Sequence, residues 1–142
     1  MPYAKSLSPE WAALLSAPRT CSGQLLRGHI PQVAGVYAWF RDGDCVYVGK
    51  AKNLRQRLSA HRSTSADLSR STLRASVAVR ELGIGRKTAR SRPSTLHAEQ
   101  VSQVNEWLAA CEVAWVACPD PGVADEMERR LRGHWMPPLN RM

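Results

Sequence analysis

The chain has 142 residues, enough for one compact domain whose core needs neither a disulfide nor a structural metal. Its net charge of +8 indicates a polyanionic partner, with nucleic acid ahead of an anionic membrane surface. No apolar run approaches the ~20 residues of a transmembrane helix, and residues 1 to 5 do not begin a convincing signal peptide. We therefore expect a cytoplasmic protein without a membrane partner.

Four cysteines, at positions 21, 45, 111 and 118, are widely spaced. They form no Cys-x2-Cys pair, and no histidine lies at zinc-ligand spacing from them. We expect reduced, partly buried thiols rather than metal ligands.

The first predicted element is a short helix capped by Ser8, with Pro9 at its first position. Two strands follow, over 35 to 40 and 45 to 49. The polar segment 41 to 44 joins them. The sequence therefore predicts a β-hairpin.

Side-chain alternation assigns the two faces of this hairpin. Five apolar residues are predicted to face the core together: Val36, Ala38, Phe40, Val46 and Val48. Tyr37 and Tyr47 must then emerge on the opposite face, directly or diagonally across from each other. The two phenols are expected to share one site.

After the hairpin, Asn53 is predicted to cap a helix that continues past Leu58. Arg55, Arg57 and His61 are placed on its polar flank. Because helix positions four apart are neighbours, Arg57 and His61 should lie one turn apart.

The second half of the chain is predicted to hold three helices and one strand. The first helix covers about 66 to 82, includes Thr72 in its apolar face and ends at Gly83. A basic loop over 85 to 93 leads to the second helix, which has Leu96, Val101, Val104 and Leu108 on one face. A strand over 112 to 117 and a helix over about 123 to 135 follow. The predicted fold class is α/β of the α+β type, with a small, three-stranded, mostly antiparallel sheet flanked by helices.

Basic charge is concentrated between residues 62 and 95, where eight Lys or Arg stand against two acidic residues and leave a net charge of +6. Such density favours contact with a phosphate backbone, although a solvated helix face is the alternative. The candidate DNA-binding residues are Arg70, Arg74, Arg86, Lys87, Arg90 and Arg92. The segment 82 to 89 also resembles the turn of a helix-hairpin-helix, with a helix stop and flexible loop as its alternative.

Two separated motifs resemble the GIY-YIG nuclease family. The first comprises Gly35-Val36-Tyr37 and Tyr47-Val48-Gly49, followed by Lys50, Arg57 and His61. The second reproduces the family's closing pattern with Glu128, Leu131, Pro137 and Asn140. Together they are similar to the N-terminal nuclease domain of the bacterial excision-repair endonuclease.

The resemblance implies that Tyr37 lies beside the attacking water as its base. A phenol has a reference pKa of ~10, so this role requires nearby cations such as Lys50, Arg57 and a metal ion. Arg57 would hold the phosphate as charge develops, and Tyr47 would bind the phosphate or orient the water. Lys50 would assist, or only position the phosphate.

The resemblance further makes His61 a candidate proton shuttle and Glu128 the ligand of one Mg2+ or Mn2+ ion. Taken alone, His61 could be an ordinary surface or capping histidine, and Glu128 an i, i+4 partner of Arg132. Likewise, a single tyrosine of the hairpin is usually a packed aromatic. Because all of these residues occur together at the family's spacings, the active-site interpretation is favoured over the separate structural ones.

The chain departs from the family pattern mainly in length, because 66 residues separate His61 from Glu128. We expect a single domain over 1 to 142, with 62 to 110 as a basic helical insertion. The predicted function is a metal-dependent endonuclease that cleaves double-stranded or branched DNA, with RNA left open. The alternative is an inactive nucleic-acid-binding module on the same fold.

Overall fold

The computed structural model describes residues 8–142, which build a mixed α/β fold around an antiparallel sheet. Within this range the sheet has four strands in the order β1-β4-β2-β3. They are β1 (Thr20–Cys21), β2 (Gly35–Arg41), β3 (Asp44–Ala51) and β4 (Glu112–Ala117). The predicted fold class and its three strands are confirmed, and the two-residue β1 adds a fourth by pairing with β4.

Six helices surround the sheet in the described part of the chain. They are α1 (Pro9–Ser16), α2 (Leu54–His61), α3 (Thr72–Leu82), α4 (Arg86–Ala89), α5 (Ala98–Ala109) and α6 (Pro121–His134), with 3-10 turns at Ser22–Gln24, Arg27–His29 and Pro138–Arg141. Among residues 8–142 no helix is both long and apolar enough to span a bilayer. The expectation about a signal peptide at residues 1 to 5 lies outside the described residues.

Local side-chain hydrogen bonds start the first two helices where the sequence predicts. The hydroxyl of Ser8 accepts from the backbone N–H of Trp11, and the side chain of Asn53 accepts from that of Gln56. Each bond satisfies a backbone donor that has no partner within the helix.

Helix α3 begins later than predicted. The carboxylate of Asp67 accepts hydrogen bonds from both the backbone N–H and the hydroxyl of Ser69, which holds this stretch in a turn rather than a helix. The helix starts only after Ser71, whose hydroxyl caps it. Gly83 ends it as predicted, in a left-handed conformation at φ 67°. The single-turn α4 then replaces the predicted loop and is too short for a helix-hairpin-helix.

Both faces of the sheet are covered. On one face Val36, Ala38, Phe40, Cys45 and Val48 pack with Trp11 and Leu14 of α1 and Ala124 and Leu131 of α6. On the other face Tyr37, Trp39 and Tyr47 pack with Leu54 and Leu58 of α2, Leu73 and Val77 of α3, and Val104 and Leu108 of α5. The two tyrosines therefore lie in a hydrophobic core.

The hairpin contains an irregularity that alternation alone does not reveal. Trp39 pairs with Tyr47, but Phe40 pairs with Cys45, so Val46 is an extra residue in β3. The prediction that Val46 faces the same core as Val48 is wrong, because Val46 lies on the tyrosine side and Cys45 takes its place.

Candidate active site

The antiparallel register of β2 and β3 brings the two tyrosines together as predicted. Tyr37 pairs with Gly49 and Tyr47 pairs with Trp39, which sets the phenols on a diagonal of one sheet face. Their ring centroids are 6.4 Å apart. Tyr37 is almost fully buried and Tyr47 is 8% exposed.

The first glycine of the motif allows β2, β4 and α2 to approach closely. A Cβ on Gly35 would lie 2.5 Å from the carbonyl oxygen of Val116 and would also overlap the side chain of Leu54. Any larger residue would therefore push α2 away from the sheet. Because α2 carries Arg57 and His61, Gly35 fixes where these side chains meet the hairpin.

His61 is buried, at 1% exposure, and not on the polar flank of α2 as predicted. Hydrogen bonds of 2.6 Å join its Nε2 to the hydroxyl of Tyr37 and its Nδ1 to the hydroxyl of Ser71. Burial lowers the pKa of His61 to about 3, and the charges of Arg57 and Arg74 act in the same direction. His61 is therefore a neutral imidazole at physiological pH.

The electrostatic surroundings of the phenols link four of the predicted site residues. Burial raises the pKa of Tyr37 well above its ordinary value and also raises the pKa of Tyr47. Arg57 lowers the pKa of both phenols and Glu128 raises it. Side chains from β2, β3, α2 and α6 therefore lie close enough for Arg57 and Glu128 to affect both phenols.

A cleft of about 680 Å³ opens between the end of β3, α2 and the start of α6. Its lining includes Lys50 and Arg57, both exposed to solvent. No side chain within residues 8–142 forms a hydrogen bond with the Arg57 guanidinium, whereas Lys50 forms a salt bridge with Asp125. This hydrogen-bonded pairing lowers the pKa of Asp125.

Glu128 projects from the middle of α6, with its side chain 14% exposed. Its carboxylate lies 3.8 Å from the Arg132 guanidinium, one turn along the helix. At this distance the pair has the geometry of a weak surface ion pair. The structural partner that the sequence suggested is thus present, at a distance too long for a hydrogen bond.

The six predicted DNA-binding residues differ in exposure. Arg70, Lys87 and Arg92 are exposed, while Arg86 and Arg90 are half-buried and donate to the hydroxyl of Ser76 and the carbonyl of Ser69, respectively.

Arg74 does not fit the prediction. It is 1% exposed, and its guanidinium donates to the carbonyls of Ser65 and Asp67 and to the side chain of Asn105. A guanidinium engaged inside the protein cannot reach a DNA phosphate, so Arg74 holds the loop before α3 in place.

Two residues beside the predicted site were missed. The hydroxyl of Ser71 contacts His61, and the hydroxyl of Thr72 lies 2.7 Å from the hydroxyl of Tyr47. Asn140, quoted only as part of the closing pattern, binds the backbone N–H and carbonyl of Val48 at 2.9 and 2.8 Å. Only the N-cap preference of Ser71 could have indicated a special position.

The family model of the GIY-YIG catalytic domain matches residues 35–142 of this chain. The chain belongs to the GIY-YIG family. It is an endonuclease of the GIY-YIG type, and the matched range contains both tyrosines, Arg57, His61 and Glu128.

Solved structures of another GIY-YIG protein resemble the chain. A crystal structure of the N-terminal endonuclease domain of UvrC from Thermotoga maritima, bound to magnesium as its catalytic divalent cation, is 23% identical, with a TM-score of 0.44. The match covers 80% of this chain and 90% of that domain. Two point mutants of the same domain match with 23% and 24% identity, TM-scores of 0.44 and 0.43, and cover 80% and 78% of this chain and 89% and 86% of theirs. No curated protein sequence matches the chain.

Proposed function

We propose that this endonuclease hydrolyses DNA phosphodiester bonds by in-line attack of a water molecule activated at the paired tyrosines, with Mg2+ or Mn2+ held by Glu128. One observation carries this proposal: the hairpin sets the rings of Tyr37 and Tyr47 6.4 Å apart, and Arg57 and Glu128 lie close enough to affect the pKa of both phenols. A cation, a carboxylate and two acid–base groups that lie close enough to affect one another support phosphoryl transfer, and the cation, Arg57, also lines the open cleft.

In the proposed reaction, the water oxygen forms a bond to phosphorus while the bond from phosphorus to the leaving oxygen breaks. The water proton passes to the phenolate of Tyr37, and Tyr47 holds the phosphate or orients the water. Because burial raises the pKa of Tyr37, the phenolate needs positive charge nearby. The charge of Arg57 already lowers the pKa of Tyr37.

Arg57 is the proposed phosphate ligand. It is exposed at the edge of the cleft, and no carboxylate of the described residues pairs with it, so its planar fork is available to two phosphate oxygens. Lys50 lines the same cleft and would add a point charge once it leaves Asp125. The two cations would bind the charge that develops on the phosphate.

The Glu128 carboxylate fits a loosely held divalent ion. Among residues 8–142 its carboxylate has one ion-pair partner, Arg132 at 3.8 Å, and carboxylate oxygen is the ligand type that Mg2+ and Mn2+ prefer. Residues 8–142 contain no group of three or more metal-ligating side chains, so water and substrate oxygens would complete the shell. Bound there, the ion supplies charge that offsets the carboxylate, favours the phenolate and stabilises the leaving oxygen.

Residues 62–110, which we propose as an insertion in a single domain over 1–142, supply the proposed DNA-binding surface. Arg70, Lys87 and Arg92 are exposed there, with Arg86 and Arg90 beside them. Basic side chains that neutralise phosphates bind without reading base sequence. We propose DNA, double-stranded or branched, as the substrate, with RNA as the alternative that a parallel assay distinguishes.

The proposal is tested by the nicking of supercoiled plasmid with Mg2+, Mn2+ or EDTA. We expect cleavage only with a divalent ion, a loss of about 100-fold or more for Arg57→Ala, and no rescue by Arg57→Lys. Glu128→Gln should abolish cleavage, and Glu126→Gln, the same change on an exposed side chain of α6, should not.

The assay also separates the two candidate functions. Wild-type protein that binds DNA and nicks no duplex, branched or single-stranded substrate would establish the inactive binding module instead. Cleavage that survives Glu128→Gln would disprove the metal assignment and leave the nuclease class intact.

A further inference from the structure

Two consecutive hydroxyl groups reach the active site from the start of α3. Ser71 is the N-cap of this helix and Thr72 its first residue. Ser71 Oγ lies 2.6 Å from His61 Nδ1, and Thr72 Oγ1 lies 2.7 Å from Tyr47 Oη. Both belong to the segment that neither GIY-YIG motif includes, so their roles have to be derived from the contacts.

The other contacts of Ser71 Oγ indicate which atom donates in its hydrogen bond with His61. Ser71 Oγ accepts the backbone N–H of Arg74 at 3.0 Å. The hydroxyl carries one hydrogen, and within residues 8–142 His61 Nδ1 is its only other side-chain partner. A buried hydroxyl that is satisfied both ways therefore donates its hydrogen to Nδ1.

The proton of His61 must then lie on Nε2. The imidazole faces Tyr37 of β2, Tyr47 of β3, Arg57 of its own helix and Arg74 of α3, and burial with two arginines keeps it neutral. A neutral imidazole has one N–H, and Nδ1 is occupied as an acceptor. Nε2–H then donates to the phenol oxygen 2.6 Å away, and the hydrogen of the Tyr37 hydroxyl, while it is present, points away from the imidazole. In the phenolate that hydrogen is gone, and each of the two hydrogen bonds of His61 has one donor and one acceptor.

We propose that Ser71 is a positioning residue of the nuclease site, which fixes the Nε2–H tautomer of His61 so that the imidazole donates a hydrogen bond to the oxygen of Tyr37. Such a donor stabilises the phenolate that the proposed reaction uses. The hydrogen bond between Thr72 and Tyr47 likewise lowers the pKa of that phenol. His61 then acts as a fixed donor rather than as the predicted proton shuttle. The inference rests on the proposed function.

The tautomer can be measured without any cleavage assay. Long-range ¹H–¹⁵N NMR of the metal-free protein, with His61→Gln to assign the signals, distinguishes a protonated from an unprotonated ring nitrogen. We expect His61 to carry its proton on Nε2 in the wild type and to show mixed tautomers in Ser71→Gly. A wild-type proton on Nδ1 would overturn the proposal.

Glycine is chosen to replace Ser71 because it removes the hydroxyl and should leave the fold of α3 intact. At an N-cap, glycine in place of serine costs only a few tenths of a kcal/mol, so α3 should remain intact. Ser8→Gly makes the same change at the N-cap of α1, away from the tyrosines, and is the matched control. Ser71→Thr keeps a hydroxyl and should restore the wild-type tautomer.

Single-turnover cleavage at saturating DNA tests the catalytic consequence. For Ser71→Gly we expect a rate lower by about twofold to tenfold, because one hydrogen bond between neutral groups is lost and the donor to the phenolate is no longer fixed. The DNA Kd should stay within about twofold, and the midpoint of the pH–rate profile should move to higher pH. Ser8→Gly should match the wild type, and Ser71→Thr should recover most of the rate.

The outcomes distinguish this inference from the proposed function. If the wild type cleaves no substrate, the proposed function fails, and the tautomer measurement still decides the role of Ser71 in placing the His61 proton. If the wild type cleaves and Ser71→Gly keeps its rate and pH profile, the positioning role is disproved while the nuclease stands.

Discussion

Gly49 lies directly opposite Tyr37 in the ladder between β2 and β3, and the phenol ring crosses over its backbone. A Cβ at position 49 would lie 2.5 Å from Cζ of the ring, so only hydrogen fits there. We expect Gly49→Ala to displace the phenol and lower the free energy of unfolding by about 1 to 3 kcal/mol, the usual cost of overpacking. Urea denaturation measures it.

The matched control for this substitution is Gly133→Ala in α6. A Cβ at position 133 meets nothing within 4 Å, and alanine favours helix by about 1 kcal/mol over glycine. Gly133→Ala should therefore be neutral or stabilising. Wild-type stability and cleavage in Gly49→Ala would show that the phenol does not need this space.

Burial of neutral His61 predicts acid sensitivity. Its pKa is about 3 in the folded protein and 6.5 as the ordinary value, so the unfolded chain takes up a proton first as the pH falls. The contribution is fully present above pH 6.5 and declines from there towards pH 3. Between about pH 7 and pH 5 we expect a loss of about 2 kcal/mol in the free energy of unfolding.

Urea denaturation at both pH values, compared with His61→Gln, isolates this loss. The variant should lack the decline whatever its absolute stability. His97→Gln, at an exposed position, should keep the wild-type pH dependence. A decline of equal size in His61→Gln would assign it to other groups.

The salt bridge between Lys50 and Asp125 predicts a variant with tighter binding. In the free protein the carboxylate of Asp125 pairs with the ammonium of Lys50, which could otherwise bind a phosphate. We expect Asp125→Asn to strengthen DNA binding about threefold to tenfold at low salt, as one opposing charge is removed from the cleft. Fluorescence anisotropy measures the Kd, and Glu126→Gln is the control on the same helix. Unchanged binding in Asp125→Asn would place the phosphate elsewhere.

Exposure separates the basic residues that should bind DNA from those that should not. Lys87→Gln is expected to weaken binding and reduce the slope of log K against log salt by about 1. Arg130→Gln removes the same charge from α6, where Arg130 pairs with Glu126 and Glu10, and should leave the slope unchanged. Equal slopes for both variants would mean that Lys87 does not contact a phosphate.

The sheet and most helices could be predicted because their signals are local. Period-two alternation identifies β2 and β3, and Asn53 and Gly83 mark helix ends through hydrogen bonding and backbone conformation. The sheet face of Val46 was predicted wrongly because one extra residue reverses the alternation within a single strand. The late start of α3 was not predicted, because the side chain of Asp67 binds the backbone N–H of Ser69 and so favours a turn over a helix there.

The site itself divides in the same way. Tyr37, Tyr47, Arg57 and Glu128 could be predicted as site residues because they belong to two motifs with fixed spacing. Whether an arginine such as Arg74 faces solvent or the interior depends on which loop folds over it, which spacing cannot show. Ser71 and Thr72 escaped for a similar reason, since only the packing of α3 against the tyrosines brings their hydroxyls to the site.

Asn140 has a consequence for how the protein meets other molecules. Strand β3 lies at the edge of the sheet, where unpaired backbone groups invite another chain to add a strand. The Asn140 amide binds both the N–H and the carbonyl of Val48, so one side chain takes the position that a neighbouring strand would occupy. The closing motif thus covers part of the free edge of the hairpin, where another strand could otherwise add.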